Sequence, residues 1–249
     1  MAPESALTDL RLRAAAARTP PEASRIRDLL ARFELERNLL VAWAQEKGLA
    51  LPADDYLDRV EATHGEHHVF YDTAKERYFK ITHGAEHNTP GFALTVTAEF
   101  HIGKKTQRYI GMPKLREATP FEYLARLRLF NLTFQDDVQV EGVITEPGKV
   151  AIVISQQPIE GDAATEPQVA EFMRSLGFTF VTGVYAGRRK SASYFRTSDS
   201  VAVFDTHGEN FFISGSRIVP IDGLIVVAED DLIRYLTMTP DERQAELGQ

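Results

Sequence analysis

Adjacent pairs of short β-forming segments leave this sequence few architectures. HHVFYD (67–72) and RYFKIT (77–82) flank the turn Thr73-Ala74-Lys75-Glu76. VQVEGVIT (138–145) and KVAIVISQ (149–156) flank Glu146-Pro147-Gly148, and a Pro-Gly pair is a strong turn signal. Both spacings predict antiparallel hairpins. FALTVTAEFHIG (92–103), with KKTQRYIG (104–111) as its return, reads as a further, inserted hairpin. Helical spacing interrupts the strands in three places. Over residues 21–47 it involves Ile26, Leu29, Leu30, Phe33, Leu40 and Trp43, with Gly48 as terminator. From Pro120 to about Phe134 it involves Phe121, Leu124, Leu127 and Leu132, with proline suited to the first turn. The third helix runs from Glu166 to about Leu176, between Thr165 and Gly177. Residues 1–20, rich in Ala and Arg, read as a loosely held tail that breaks at Pro20-Pro21. The pattern is α+β.

With 249 residues, 43% of them hydrophobic, the chain can bury one two-lobed domain or two small ones. No apolar run reaches the roughly eighteen residues of a membrane span, and MAPESALTDLRLR lacks a secretory apolar stretch. A cytoplasmic location, with no membrane partner, is the expectation. The chain has no cysteine, which excludes disulfides, thiolate catalysis and cysteine zinc sites. A net charge of −8 argues against nucleic acid as a partner, because such affinity rests on clustered Lys and Arg. Lys104-Lys105 and Arg188-Arg189-Lys190 are short clusters beside glycine and read as solvated loops.

Chemistry concentrates in VAVFDTHGENFFISGSRIVPIDG (201–223). An apolar strand delivers Asp205 into a polar turn, Asn210 follows, and a second apolar strand ends at Asp222. Carboxylate and amide oxygens are hard donors suited to Mg²⁺, and strand ends hold them rigidly. An Asp-x-x-x-x-Asn spacing also occurs in turns, where both residues bond local backbone. His207 reads either as a group holding Asp205 or Asp222, or as a structural histidine bonded to backbone. His64, His67 and His68 with Glu66 have zinc-ligand chemistry, but His67 and His68 neighbour each other on a strand and point to opposite faces. Trp43 reads as a packing anchor, and Phe211 and Phe212 as core beneath the turn.

The Asp205-x-His207-x-x-Asn210 pattern, followed by an apolar strand and Ile221-Asp222-Gly223, resembles the catalytic loop and metal-binding aspartate of aminoglycoside-phosphotransferase-like and protein kinases. The strings EHHVFYD, YFKIT, FEYLARLRLFNLTF, VISQQPIEG, VFDTHGENFF and VPID, in this order, resemble the kinase-like domain of polyvalent proteins from phages and mobile elements. The resemblance spans roughly residues 43–222. It implies a two-lobed protein-kinase-like fold with a mainly antiparallel N-lobe sheet, a reduced C-lobe and an extra N-terminal helix. Residues 1–56 would form the tail and packing helix, 57–160 the N-lobe and 161–249 the C-lobe.

Carried over by residue, the resemblance implies ATP and Mg²⁺ as cofactors, with the nucleotide between the lobes. Asp205 would be the catalytic base, Asn210 and Asp222 the metal ligands, and Lys80 the phosphate-binding lysine with Glu122 as its carboxylate partner. The adenine would lie near Gln157 and Ile159, on backbone hydrogen bonds. The glycine-rich phosphate loop is reduced to Gly65, and 27 residues follow Asp222, too few for a large peptide-binding lobe. Protein acceptors are therefore disfavoured, although the sequence identifies neither the acceptor, protein or small molecule, nor the oligomeric state. The rival readings are a nucleotide-binding pseudokinase and a nucleic-acid-associated accessory protein.

Overall fold

The computed structural model describes residues 1–16, 25–64, 66–83, 94–102, 109–146, 149–188 and 190–247. In chain order its elements begin with α1 (Pro3–Ala16), α2 (Arg25–Lys47), β1 (Ala50–Leu51), α3 (Asp54–Leu57), β2 (Ala62–His64), β3 (His67–Asp72) and β4 (Arg77–Thr82). Next come β5 (Leu94–Ile102), β6 (Tyr109–Glu117), α4 (Pro120–Phe134), β7 (Gln139–Glu146), β8 (Lys149–Gln156), β9 (Asp162–Ala163) and α5 (Glu166–Ser175). The remainder is β10 (Thr179–Phe180), β11 (Tyr194–Arg196), β12 (Val201–Phe204), β13 (Phe211–Ser214), β14 (Arg217–Pro220), β15 (Leu224–Val227), α6 (Asp230–Thr237) and α7 (Pro240–Leu247). The fold is mixed α+β, with seven α-helices and four sheets among the described residues. None of these helices is long and apolar enough to cross a membrane. The chain divides into two compact units, Met1–Leu94 with Glu117–Pro158, and Thr95–Arg116 with Ile159–Gln249.

The first unit is built on a six-stranded sheet in the order β1-β7-β8-β4-β3-β2. Every neighbouring pair in it is antiparallel except β1 with β7. Alternation along the strands sends Phe70, Phe79, Ile81, Ile144 and Val153 to one face. Val140, Val143, Ile152 and Ile154 line the other, against Tyr123, Leu124 and Leu127 of α4 and Leu10, Leu40 and Trp43 of the first two helices. The α4 helix starts where the sequence places it. Pro120 occupies its first turn, the Glu122 N–H donates to the Thr119 hydroxyl, and the Glu122 carboxylate accepts the Thr119 N–H at 2.9 Å.

Residues 3–16 correct the expectation of a loose tail, because they form α1. Ala6, Leu7 and Leu10 share one helical face and are buried in the core beside α2 and α4. Arg13 makes a two-pronged pair with Glu46, and Lys47 pairs with Asp9 at 3.0 Å. The alanines that suggest a loosely held tail are the best helix formers, and a small apolar stripe suffices to dock the helix. The Pro20-Pro21 break and the Pro147-Gly148 turn lie outside the described residues. Leu30 and Leu132 sit at helical spacing yet are 52% and 58% exposed, so the buried stripes are narrower than the sequence suggests.

The second unit holds three small sheets, β10-β11-β12-β15, β14-β13-β9 and the hairpin β5-β6. The hairpin approaches α6 closely at Gly111, where an added Cβ would lie 2.9 Å from the Cβ atoms of Ala98 and Asp231. Phe211 is buried and meets the ring of Phe172 edge-on at 6.1 Å, whereas Phe212 is half-buried. After Asp222 the chain adds one strand and two short helices, anchored by buried Leu232, Tyr235 and Leu236 of α6.

Candidate active site

Two antiparallel registers gather the oxygen-bearing residues of the second unit. The strands β12 and β15 pair with Phe204 opposite Leu224, so Asp205 leaves one strand where Asp222-Gly223 leads into the other. The β13–β14 hairpin pairs Phe211 with Pro220, and the Ile221 N–H donates to the Asn210 carbonyl at 2.8 Å. Asn210 in turn donates its side-chain N–H to the Asp205 carbonyl at 2.8 Å. With its nitrogen so engaged, the Asn210 amide has its Oδ1 as the atom for a cation. The Asp222 carboxylate accepts the Gly223 N–H at 2.7 Å. One amide oxygen and one carboxylate at a common strand end form a hard donor set that fits Mg²⁺.

Asp205 is held by residues well before it in the chain. Its Oδ1 accepts the Arg188 N–H at 2.7 Å and the Ser191 hydroxyl at 3.1 Å. The same hydroxyl lies 2.9 Å from the Arg188 carbonyl, so Arg188 and Ser191 are tied to each other as well as to the carboxylate. Gly187 makes this approach possible, because a Cβ there would lie 2.5 Å from Asp205 Cγ. Asp205 itself adopts the left-handed conformation, φ 58°, at a cost of about 1 kcal/mol. Aspartate bears that cost better than most residues because its side chain is short and polar. His207 Nε2 lies 3.8 Å from the Asp205 carboxylate, and its other ring nitrogen is 3.4 Å from the Arg188 guanidinium. Arg188 also pairs with Glu209 at 2.6 Å, at the surface.

Lys80, Glu122 and Gln157 lie in the first unit, and Ile159 begins the second part of the other. Lys80 projects from β4 and donates to Gln156 Oε1 at 2.9 Å. Gln156 Nε2 donates to Asp136 at 2.5 Å, and burial pushes the Asp136 carboxyl above its ordinary value, an effect that nearby Lys80 opposes. Glu122 closes the α4 capping box and lies 3.3 Å from Arg32. The Gln157 N–H donates to the Asp137 carboxylate at 3.2 Å. Pro158 has no N–H, so the next main-chain donor along this segment belongs to Ile159.

Glu66 pairs with buried Arg126 of α4, with one contact at 3.0 Å, and His67 lies 2.8 Å from the Tyr123 hydroxyl. His68 turns to Thr63 at 2.9 Å and its ring sits 4.2 Å from that of His83. Gly65, expected as the remnant of a phosphate loop, lies outside the described residues. Sequence reasoning missed Gly187, Ser191, Gln156 and Asp136. Gly187 ahead of a basic cluster signals only a turn, Gln156 lies in the string VISQQPIEG without standing out from it, and Ser191 and Asp136 lie in no motif.

Residues 109–229 match the family model described as serine/threonine/tyrosine kinase found in polyvalent proteins. That span includes Glu122, Gln157, Ile159, Asp205, Asn210 and Asp222, and Lys80 precedes it. No curated protein and no solved structure matches the chain.

Proposed function

We propose that the chain transfers the γ-phosphate of ATP to a hydroxyl acceptor, on the premise that residues 109–229 match the family model of the serine/threonine/tyrosine kinase found in polyvalent proteins. The reading is carried by the β12–β15 register, which brings Asp205 and Asp222 to one sheet end with Asn210 hydrogen-bonded beside them. Asp205 accepts the proton of the acceptor hydroxyl as its oxygen bonds to the γ-phosphorus and the bond from that phosphorus to the departing ADP oxygen breaks. Asn210 Oδ1 and an Asp222 oxygen would hold Mg²⁺, which when bound would offset phosphate charge. Lys80 contributes an ammonium to the phosphates. Ile159, rather than Gln157, offers the main-chain N–H to the adenine, because the Gln157 N–H already serves Asp137.

The test compares the native chain with Asp205→Asn, using labelled ATP, Mg²⁺ and cell extract. Asparagine also tolerates a positive φ, so the backbone survives and only proton acceptance is lost. Transfer is expected to fall by about 10²- to 10⁴-fold. Equal transfer by both proteins would remove Asp205 from the mechanism. A rise in melting temperature with Mg²⁺-ATP but no transfer by either would assign the chain to the nucleotide-binding pseudokinase reading.

A further inference from the structure

Lys80 sits in a network that the sequence does not announce. In the β4–β8 register Tyr78 is opposite Gln156 and Lys80 opposite Ile154, so Lys80 and Gln156 are diagonal neighbours on one face. Gln156 is 3% exposed, and both ends of its amide are used: Oε1 accepts from the Lys80 ammonium and Nε2 donates to Asp136. Asp136 directly follows Gln135, the residue whose left-handed conformation, φ 56°, ends α4. Its neighbour Asp137 accepts from Arg77 of β4 at 2.6 Å and from the main chain after β8 at 3.2 Å, which pins the acidic pair to both strands.

We propose that Gln156 and Asp136 are positioning residues for Lys80, with the half-buried carboxylate fixing the amide and the amide fixing the ammonium in advance of the phosphates it meets. The phosphate role rests on the phosphotransferase reading; the hold on Lys80 does not. A lysine ammonium is a point charge on four freely rotating carbons, so ordering it before ligand arrives removes an entropic penalty from binding. The amide also fixes direction. Its oxygen faces Lys80 only because its nitrogen is committed to an acceptor, and a carboxylate can accept but not donate. An apolar residue of similar size at 136 would avoid the cost of burying a carboxylate, yet it would free the amide to turn.

The experiment measures amine labelling of the full-length chain by reductive methylation, resolved by peptide mass spectrometry, with Lys47 and Lys75 as references. Loss of a hydrogen bond to a charged group corresponds to about a tenfold change, so Gln156→Met should label at Lys80 about tenfold faster than the native chain, with the reference lysines unchanged. Asp136→Asn should raise Lys80 labelling less, while raising the melting temperature, because a half-buried carboxylate is replaced by a neutral group of equal size. Faster labelling in a more stable protein separates positioning from structural support, and this variant also serves if Gln156→Met fails to fold. Unchanged Lys80 labelling in a folded Gln156→Met or in Asp136→Asn would overturn the proposal. Mg²⁺-ATP is then added to the native chain. Failure to protect Lys80 would count against the phosphotransferase reading, and the labelling rates without nucleotide would still decide the network.

Discussion

Asp205 combines a strained backbone with a tethered side chain, and each has a separable consequence. Asp205→Ala keeps the strain but loses the polar side chain that eases it and both contacts to the turn at 188–191. It should therefore unfold at a lower urea concentration than Asp205→Asn. Gly187→Ala acts from the other side. Its Cβ would overlap the Asp205 carboxylate, and Gly187 itself has φ 94°, so a loss of about 1–3 kcal/mol by urea unfolding is expected. A Gly187→Ala variant as stable as the native chain would contradict this packing. The convergence of Asp205, Asn210 and Asp222 was legible in the sequence because polar residues at the ends of apolar strands form a local pattern. Arg188 and Ser191 were not, because their contact with Asp205 closes an irregular loop that has no periodicity.

Two elements carry predictions of their own. In the turn between β3 and β4 the Asp72 carboxylate accepts the N–H groups of Lys75 at 2.9 Å and Ala74 at 3.0 Å and pairs with Arg59. The Lys75 bond leads in holding its pKa below the ordinary 3.8, with Arg59 and Ala74 assisting. A depressed carboxyl stabilises the fold above its unfolded pKa and loses that contribution as pH falls through the lowered folded value. The urea midpoint of Asp72→Asn should thus trail the native chain at neutral pH, and the gap should close below about pH 4. An identical gap at both ends of the range would contradict the assignment. At α4, Thr119→Ala removes the hydroxyl of the capping box and should cost about 1 kcal/mol. The limits of α4 were readable because its proline and cap are sequence signals. Those of α1 were not, since a stripe as small as Ala6, Leu7 and Leu10 does not stand out from an alanine-rich tail.

The whole molecule sets limits on what can be cut away. The family match begins at residue 109, but within the first unit β7 pairs with β1 and β8 with β4, and both partners precede the match. A fragment of residues 109–229 would leave β7 and β8 as a hairpin with two open edges and with its core-facing residues stripped of α1 and α2. Such a fragment should sediment with the insoluble fraction of a lysate while the full chain stays in the supernatant; a soluble, cooperatively unfolding fragment would contradict this. Hairpins and the α+β class were legible because their signals are local. The sheet order was not, since the parallel β1–β7 pairing rests on two residues and shows no alternation. The left-handed turn at residue 205 also bears on how such a protein changes over time. Among residues with a polar side chain, asparagine fits that conformation well, and on the proposed mechanism it is the replacement that would remove the proton acceptor while leaving the backbone conformation in place. If Asp205 is the base proposed above, a single altered codon would convert a catalyst into an inert receptor of the same shape, and descendants on either side of that step would be told apart by assay rather than by architecture.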